Sequence, residues 1–253
     1  MVSAVENALR MLEAVAKYQP IGVSAVARKL EMSKTTAQRA LVALADLDWI
    51  APAPGDSTRW VLTTKAFAIG SQHAGATDLR QLARAPMKRL FDEVGETIHL
   101  SVIDGAHVVV IELLETEAPV RTHTRVGDRF PLHATASGIA MLAAMDQDRV
   151  DRILTRTPLE KVTEFTPTDV ETIHAAIEDA RKLGYARALG TRHAEIAAIA
   201  APILDRNGAP TAALSISAPI HRLPPDKHQA YGQKVRAAAQ ASSGIYVSYS
   251  RND

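Results

Sequence analysis

Residues 33–44 read SKTTAQRALVAL, and the interpretation of the front of the chain turns on them. Ala37, Ala40, Leu41, Leu44 and, further on, Leu47 recur at helical spacing and mark one side for burial. The front end carries Lys34, Thr35, Thr36, Gln38 and Arg39, all hydrogen-bond donors. Ser33 precedes them as the expected N-cap, a residue type that accepts a bond from an otherwise free helical amide. A first turn with that many free donors is suited to a polar partner.

The flanking sequence says which partner. Upstream, VSAVARKLEM (residues 23–32) reads as a helix with Ser24 as its cap and Val26, Ala27 and Leu30 facing inward. Before it, Val5, Leu9, Leu12, Val15 and Ala16 mark a helix that Pro20 and Gly22 end. Only Glu31 to Ser33 separate the second and third helices, and so short a joint forces the steep crossing of a helix-turn-helix. Downstream, WIAPAPGDSTRWVLT (residues 49–63) reads as strand, turn and strand, which after such a motif is a wing. In that fold the third helix places its N-terminal residues against base edges in the DNA major groove. Gln matches adenine, Arg matches guanine and Thr meets the thymine methyl. A helix N-terminus suits a phosphate. The expected DNA contacts are therefore Ser24, Ser33, Lys34, Thr35, Thr36, Gln38 and Arg39, with Arg59 of the wing, and the expected partner is double-stranded DNA. Any one of these residues also fits an ordinary solvated helix; the order of three helices and a hairpin favours the DNA reader.

Bulk properties agree without deciding. The 253 residues carry a net charge of +1, and none is cysteine, which excludes disulfides and thiolate metal sites. Residues 1–65 hold eight Lys/Arg against six Asp/Glu; the remainder hold 21 against 22, a weak basic bias toward the front. Glu6 and Glu13 interrupt the amphipathic N-terminus, unlike the apolar core of a signal peptide. No run approaches the roughly 18 apolar residues of a membrane span. A cytoplasmic protein with no membrane partner is expected.

Beyond residue 65 the pattern changes to an α+β one. A linker helix is expected over residues 66–76 and a second domain over 77–253. The latter reads as a helix over Leu82–Val94 interrupted near Pro86 and a hairpin turning at Asp104-Gly105. A strand-like run at 119–129 and a small-residue helix within 132–145 follow. Next come a long helix capped by Thr168 and stopped by Gly184, a hairpin turning at Asn207-Gly208, and a terminal helix over 226–250.

Five segments in this order resemble the IclR family of bacterial transcription regulators: VARKLEMSKTTAQRALVAL (26–44), GETIHLSVIDGAHVVVIE (95–112), VGDRFPLHATASGIAMLA (126–143), IAAIAAPILD (196–205) and AALSISAPIHR (212–222). The resemblance covers nearly the whole chain. It implies a winged helix-turn-helix followed by a GAF-like domain, an antiparallel sheet flanked by helices that holds a small effector, often an organic acid. It also implies dimers through the N-terminal domains and linker helix, further pairing to tetramers, and a palindromic operator. Carried over, the effector contacts are Ala136, Ser137, Ser215 and Ser217, with Thr122, Phe130, Ile196 and Ala198 as walls. The chemistry is consistent: helix N-terminal amides attract an anion, and hydroxyls at i and i+2 of a strand share one face. Together they can grip a carboxylate or carbonyl without a formal cation. Two departures bear on ligand class. Ile139 stands where the family usually has Lys, and Glu195 where Gly is expected, with Ala188 where an acidic side chain can stand; Arg192 and His193 lie near by in sequence. The expected function is an operator-binding regulator of a catabolic operon, tuned by a small organic or aromatic acid or related carbonyl compound; a repressor and an activator are not told apart by the sequence, since that depends on where the operator lies relative to the promoter.

A hydrolase is the competing class, since His99, His133 and Ser137 are present. Neither G-x-S-x-G nor H-E-x-x-H occurs, and His99, His107, His123 and His133 contain no i, i+4 pair. No catalysis, cofactor or metal is expected.

Overall fold

Helix α1 (Ala4–Tyr18), α2 (Val23–Lys29) and α3 (Lys34–Asp46) open the chain. The computed structural model describes residues 4–70, 74–156 and 158–243 and divides into two units, residues 1–74 and 75–253. Met11, Ala14 and Val15 of α1 pack with Val26 and Ala27 of α2 and with Ala37, Leu41 and Leu44 of α3. The inward set differs from expectation at Val5, Leu9, Ala16 and Leu47, all of them exposed. Val5 and Leu9 are 69% and 56% exposed, because the first turns of α1 run past this small core. Leu47, 60% exposed, is the C-cap of α3, where the helical periodicity that placed it inside has ended.

Ser24 is not a cap. Strand β1 (Ile21–Gly22) pairs with β3 (Asp56–Leu62) and holds Gly22 extended, so α2 starts at Val23 with Gly22 as an N-cap that offers no side chain. Glu31, at φ 52°, turns the chain between α2 and α3, and the Met32 amide donates to the Ala27 carbonyl at 3.0 Å. Strand β2 (Ile50–Ala53) completes the sheet in the order β1-β3-β2. The hairpin tip lies at Pro54-Gly55, with Gly55 at φ 77°. Asp56 closes it by accepting from the Thr58 amide and hydroxyl, and those bonds hold its carboxyl below the usual range. Helix α4 (Thr64–Gly70) follows.

The second unit is a sheet between two helical layers. Its strands are β4 (Thr97–Asp104), β5 (His107–Leu114), β6 (Arg129–Pro131), β7 (Ala186–Leu189), β8 (Ile196–Leu204) and β9 (Pro210–Pro219). All pairings are antiparallel, in the order β6-β5-β4-β9-β8-β7. One face carries Ile98, Leu100, Ile199, Leu214 and Ile216 against α5 (Ala74–Val94) and α9 (Pro225–Ala241). The other carries Val108, Ala200 and Ala213 against α6 (Ala136–Ala143), α7 (Gln147–Arg156) and α8 (Val170–Leu183).

Several sequence expectations give way here. Helix α5 runs unbroken through Pro86, because buried Ala83, Met87 and Leu90 hold both sides of the proline on the sheet. Residues 119–128 form no strand; at their end the Asp128 carbonyl accepts from the Val110 amide and the Gly127 amide donates to the Val110 carbonyl, tethering them to β5 before β6 begins. The cap of α8 is Asp169, which accepts from the Thr172 amide at 2.7 Å, in place of Thr168. Helix α7 and strand β7 were not anticipated. The stop at Gly184 is met, in the left-handed conformation at φ 77°. Helix α9 ends at Ala241, and the rest of the expected terminal helix from residue 244 lies outside the described residues.

Gly138 fixes where α6 starts. A Cβ there would sit 1.9 Å from the Leu132 carbonyl oxygen, in the 3-10 turn (Leu132–Ala134) that precedes the helix. The obstruction is backbone, so it cannot be relieved by a rotamer change. Gly138→Ala is expected to destabilise the protein by about 1–3 kcal/mol or more, the range of overpacked cores, read as a fall in the urea midpoint by far-UV circular dichroism. An unchanged midpoint would mean that turn and helix can separate freely.

Candidate functional site

Two regions concentrate polar side chains that bond to no described residue. The first is the start of α3. Ser33 caps it as expected: its Oγ accepts from the Thr36 amide at 3.1 Å and lies 2.8 Å from the Thr36 hydroxyl. Those two hydroxyls are therefore engaged with each other. Lys34, Thr35, Gln38 and Arg39 are exposed, and their side chains form no hydrogen bond or ion pair with any described residue. Arg59 sits on β3 with its guanidinium 3.3 Å from the Asp56 carboxylate, a solvent-exposed pair of the kind worth little in water. Ser24 is exposed in the first turn of α2.

The second region is a cavity in the second unit. Antiparallel register sets its floor: His99 on β4 stands opposite Ser215 on β9, and Thr97 opposite Ser217. Across β8 the partners are Ala200 and Ala198, whose methyl side chains leave room above the sheet. The N-terminus of α6 supplies another wall. Thr135 caps it by accepting from the Gly138 amide at 3.0 Å, while the Ala136 and Ser137 amides, in the first turn, have no helical carbonyl to meet. Of the expected effector residues, Phe130, Ala136, Ser137, Ile196, Ala198, Ser215 and Ser217 all line the cavity. The hydroxyls of Ser137, Ser215 and Ser217 bond to no described residue. Thr122 does not line it. That residue is buried with its hydroxyl unpartnered among the described residues, and Thr124 occupies the wall instead. The irregular path of 119–128 is the reason, since no periodicity there assigns a face.

The sequence set omitted two residues that dominate the chemistry. Arg192 lines the cavity with its guanidinium carbon 4.0 Å from the centre of the Phe130 ring and an amino nitrogen 3.4 Å from the Thr124 hydroxyl. No carboxylate of a described residue forms an ion pair with it. Burial lowers its pKa, with Asp128 opposing, and it stays protonated because an arginine starts so high. A grip lacking a formal cation is thus corrected: the cavity has one. His99 is the second. It is 6% exposed and lines the cavity, and its Nε2 is buried with no partner among the described residues. Burial first, then the Arg192 charge, push its pKa down to about 4 against an opposing pull from Glu115, so it is neutral near pH 7. Adjacent His193 is shifted the same way for the same leading cause.

The loop bearing Arg192 is pinned on both sides. The Thr163 hydroxyl donates to the Gly190 carbonyl at 2.7 Å, Thr166 to the Thr191 carbonyl at 2.6 Å, and Thr191 to the Ala134 carbonyl at 2.8 Å. Gly190, at φ 73°, has no room for a side chain, since a Cβ would lie 2.8 Å from the Phe165 ring. Of the two departures, Ile139 is buried in the core under α6, and Glu195 is exposed outside the cavity lining. His133 is packed at 2% exposure with its Nε2 3.1 Å from the Glu160 carbonyl, and it bonds to no described serine. Among the described residues no three His, Cys, Asp or Glu side chains cluster to hold a metal ion, and no helix is long and apolar enough to cross a membrane.

A winged helix-turn-helix in one unit and a polar, ligand-sized cavity in the other define a ligand-responsive transcription regulator. Family models make the identity specific. The IclR helix-turn-helix domain matches residues 4–54, and the bacterial transcriptional regulator IclR C-terminal domain matches residues 71–244. The chain belongs to the IclR family. It is 32% identical over 242 residues to the HTH-type transcriptional regulator KdgR of Escherichia coli, covering 96% of this chain and 92% of that one. It is 31% identical over 220 residues to the transcriptional repressor AllR of the same species, covering 86% and 80%. Among solved structures, an IclR homolog from Microbacterium hydrocarbonoxydans complexed with 4-hydroxybenzoate superposes with a TM-score of 0.79 at 26% identity, covering 95% of this chain and 98% of that one. The relatives are regulators, and this chain is a regulator with an effector-binding domain, not an enzyme.

Burial of neutral His99 has a consequence for stability. Its folded pKa of about 4 lies below the ordinary 6.5, so between those values the unfolded chain binds the proton and the folded chain does not. The contribution is present above about pH 6.5 and is lost as pH falls toward about 4. Urea midpoints should drop across that window, and His99→Gln should make the drop shallower. An identical pH profile in the variant would contradict this environment for His99.

Proposed function

We propose that α3 reads a palindromic double-stranded operator and that a small organic acid bound in the cavity changes operator affinity. The reading rests on one observation common to both units: each leaves polar groups without protein partners at the place where its ligand would sit. In the first unit these are Lys34, Thr35, Gln38 and Arg39, free at the exposed start of α3. In the second they are the Ser137, Ser215 and Ser217 hydroxyls and His99 Nε2, beside an Arg192 guanidinium that bonds to Thr124 and has no carboxylate partner among the described residues. A buried group left without a partner costs free energy until a ligand meets it, and the exposed groups of α3 are hydrated and available to a ligand that displaces the water. Gln38 and Arg39 take the base-reading roles, Lys34 a phosphate, and Ser33 and Thr36 hold the helix start. Arg59 at the wing and Ser24 at the start of α2 take the backbone contacts. Protomers pair through residues 1–65 and the linker at 66–76, matching the two-fold symmetry of half-sites about one DNA turn apart. Residues 77–253 hold the effector and pair further to a tetramer. The named repressors among the relatives support repression as the mode, and the 4-hydroxybenzoate bound by a homolog supports an acid as effector.

Gln38→Ala and Arg39→Ala should each weaken specific operator binding, by roughly 1–3 kcal/mol per base contact. Lys34→Ala should weaken all sequences alike and reduce the salt slope by about one. Gel shifts over a salt series separate the two effects; unchanged affinity in all three variants would remove α3 as the reader. In the sensor, Ser215→Ala with Ser217→Ala deletes up to two hydrogen bonds of about 0.5–1.5 kcal/mol each. Calorimetry should then show effector affinity down roughly tenfold, a loss of about 1.4 kcal/mol, with operator affinity in the absence of effector unchanged. Loss of operator binding without effector would make the serines structural.

A further inference from the structure

A change of register in β5 builds a groove on the face of the sheet that carries α5, away from the cavity. Val108 and Val110 of that strand face the α6 side, and Val110 lines the cavity. Strict alternation would put Glu112 and Leu114 on the same face as these valines. The register with β4 shifts between Leu100 and Ser101, which leaves Ile111 as the extra residue and sets Glu112 opposite Leu100 and Leu114 opposite Ile98. Leu100 and Ile98 belong to the core under α5, so Glu112 and Leu114 come out on the α5 side. There they form one wall of the groove; Arg80, Gln81 and Arg84 of α5 form the other, with Met87 at its base. The volume is about 430 Å³, within the roughly 300–1,000 Å³ of small-molecule sites.

The charges in this groove are held in order. One oxygen of Glu112 accepts from the Leu113 amide at 3.2 Å, and the other accepts from Arg80 Nε at 3.1 Å and Nη2 at 2.9 Å. Arg80 is thereby oriented, and its Nη1 bonds to no described residue. Arg84 lies one turn further along the same face of α5, exposed, with a side chain that bonds to no described residue. Two guanidiniums against one carboxylate leave the groove with a net charge of +1. Like charges at i and i+4 repel, and one anionic group between them relieves that repulsion. A second negative charge on the same ligand would meet Glu112. Around the charges the lining is carbon: partly exposed Leu114, Met87 beneath it, and the aliphatic stems of both arginines.

We propose that this groove is a second ligand site, separate from the cavity, for a monoanion with an apolar body, an aromatic or alkyl carboxylate or sulfonate. Arg84 takes the anionic group through the paired hydrogen bonds that a planar guanidinium offers, and Arg80 adds its free Nη1. The apolar body lies over Leu114. Glu112 is a positioning residue, acting on the ligand through Arg80. Helix α5 begins at Ala74, at the junction of the two units, so a ligand here holds the helix by which the chain enters the second unit.

The test titrates the full-length protein with 8-anilinonaphthalene-1-sulfonate, an apolar monoanion whose fluorescence rises as it leaves water. Arg84→Ala should weaken dye binding at least about tenfold, or about 1.4 kcal/mol. Arg84→Lys, which keeps the charge and loses the planar fork, should fall between. Arg80→Ala should cost at least as much as Arg84→Ala, because it also leaves Glu112 uncompensated; adding Glu112→Gln to it should recover part of the loss. Arg149→Ala, on the exposed face of α7, and Ser215→Ala with Ser217→Ala, in the cavity, should leave dye binding unchanged. In competition, 1-naphthoate should displace the dye. The uncharged 1-naphthalenemethanol, and acetate, which has the charge without the rings, should each need at least about ten times the concentration. Circular dichroism confirms that each variant folds, and the exposed Arg84 variants carry the test if Arg80→Ala does not. No dye binding by the unaltered protein, dye affinity indifferent to Arg84, or equal displacement by the alcohol or acetate would each overturn the site. Loss of the dye in the serine variant with none in Arg84→Ala would place it in the cavity and overturn the site as well. Dye binding that appears only when Arg84→Glu has broken an oligomer, seen by sedimentation, would make the groove an interface between copies and overturn it equally.

Discussion

The close approach of Gly138 to the Leu132 carbonyl is the contact on which the sensor unit depends. It lets the 3-10 turn lie directly against the start of α6, and so presents the free amides of Ala136 and Ser137 at one height above the sheet. The antiparallel register of β4, β9 and β8 does the complementary work below, bringing His99, Ser215 and Ser217 to the same face with Ala198 and Ala200 beside them. Small residues at these points keep helix and sheet from collapsing onto each other. What remains between them is a largely apolar space into which Ser137, Ser215 and Ser217 bring hydroxyls with no partner among the described residues.

The same physical theme recurs in the first unit in a different form. Ser33 and Thr36 satisfy each other and fix the start of α3, which leaves Lys34, Thr35, Gln38 and Arg39 with nothing to bond but solvent or a ligand. In each unit a short, well-satisfied capping arrangement holds in place neighbouring polar groups that bond to no described residue. Conformational control by an effector needs no more than a ligand whose affinity differs between two arrangements of the protein, and its leverage is bounded by that difference.

Much of this was legible in the sequence where local chemistry decides. The Ser33 cap, the Asp104-Gly105 and Asn207-Gly208 hairpins and the Gly184 stop each depend on one or two residues and their neighbours. The failures are those in which tertiary partners overrule local pattern. Gly22 became the cap of α2 because β1 is claimed by β3, and Pro86 left α5 intact because the sheet holds both flanks. Seven of the eight expected effector residues came together, since strand alternation and the α6 start place them; Thr122 did not, because residues 119–128 follow no period. Arg192 and His99 were not among the expected effector contacts for a related reason. Nothing in a single sequence says that a loop arginine stacks on Phe130 or that a strand histidine faces a space; a charged residue in a loop and a histidine in a β pattern are ordinary until the register is known.

The central claim is that occupancy of the cavity and grip on the operator are coupled. Coupling between two binding sites is reciprocal, so operator DNA must change effector affinity by the same factor by which effector changes operator affinity. Calorimetric titration of the tightest-binding acid into the protein, alone and saturated with its operator duplex, measures this directly. The account predicts a shift in effector Kd of about fivefold or more between the two states, within the range usual for allosteric regulators. An effector Kd that is the same with and without operator would contradict it.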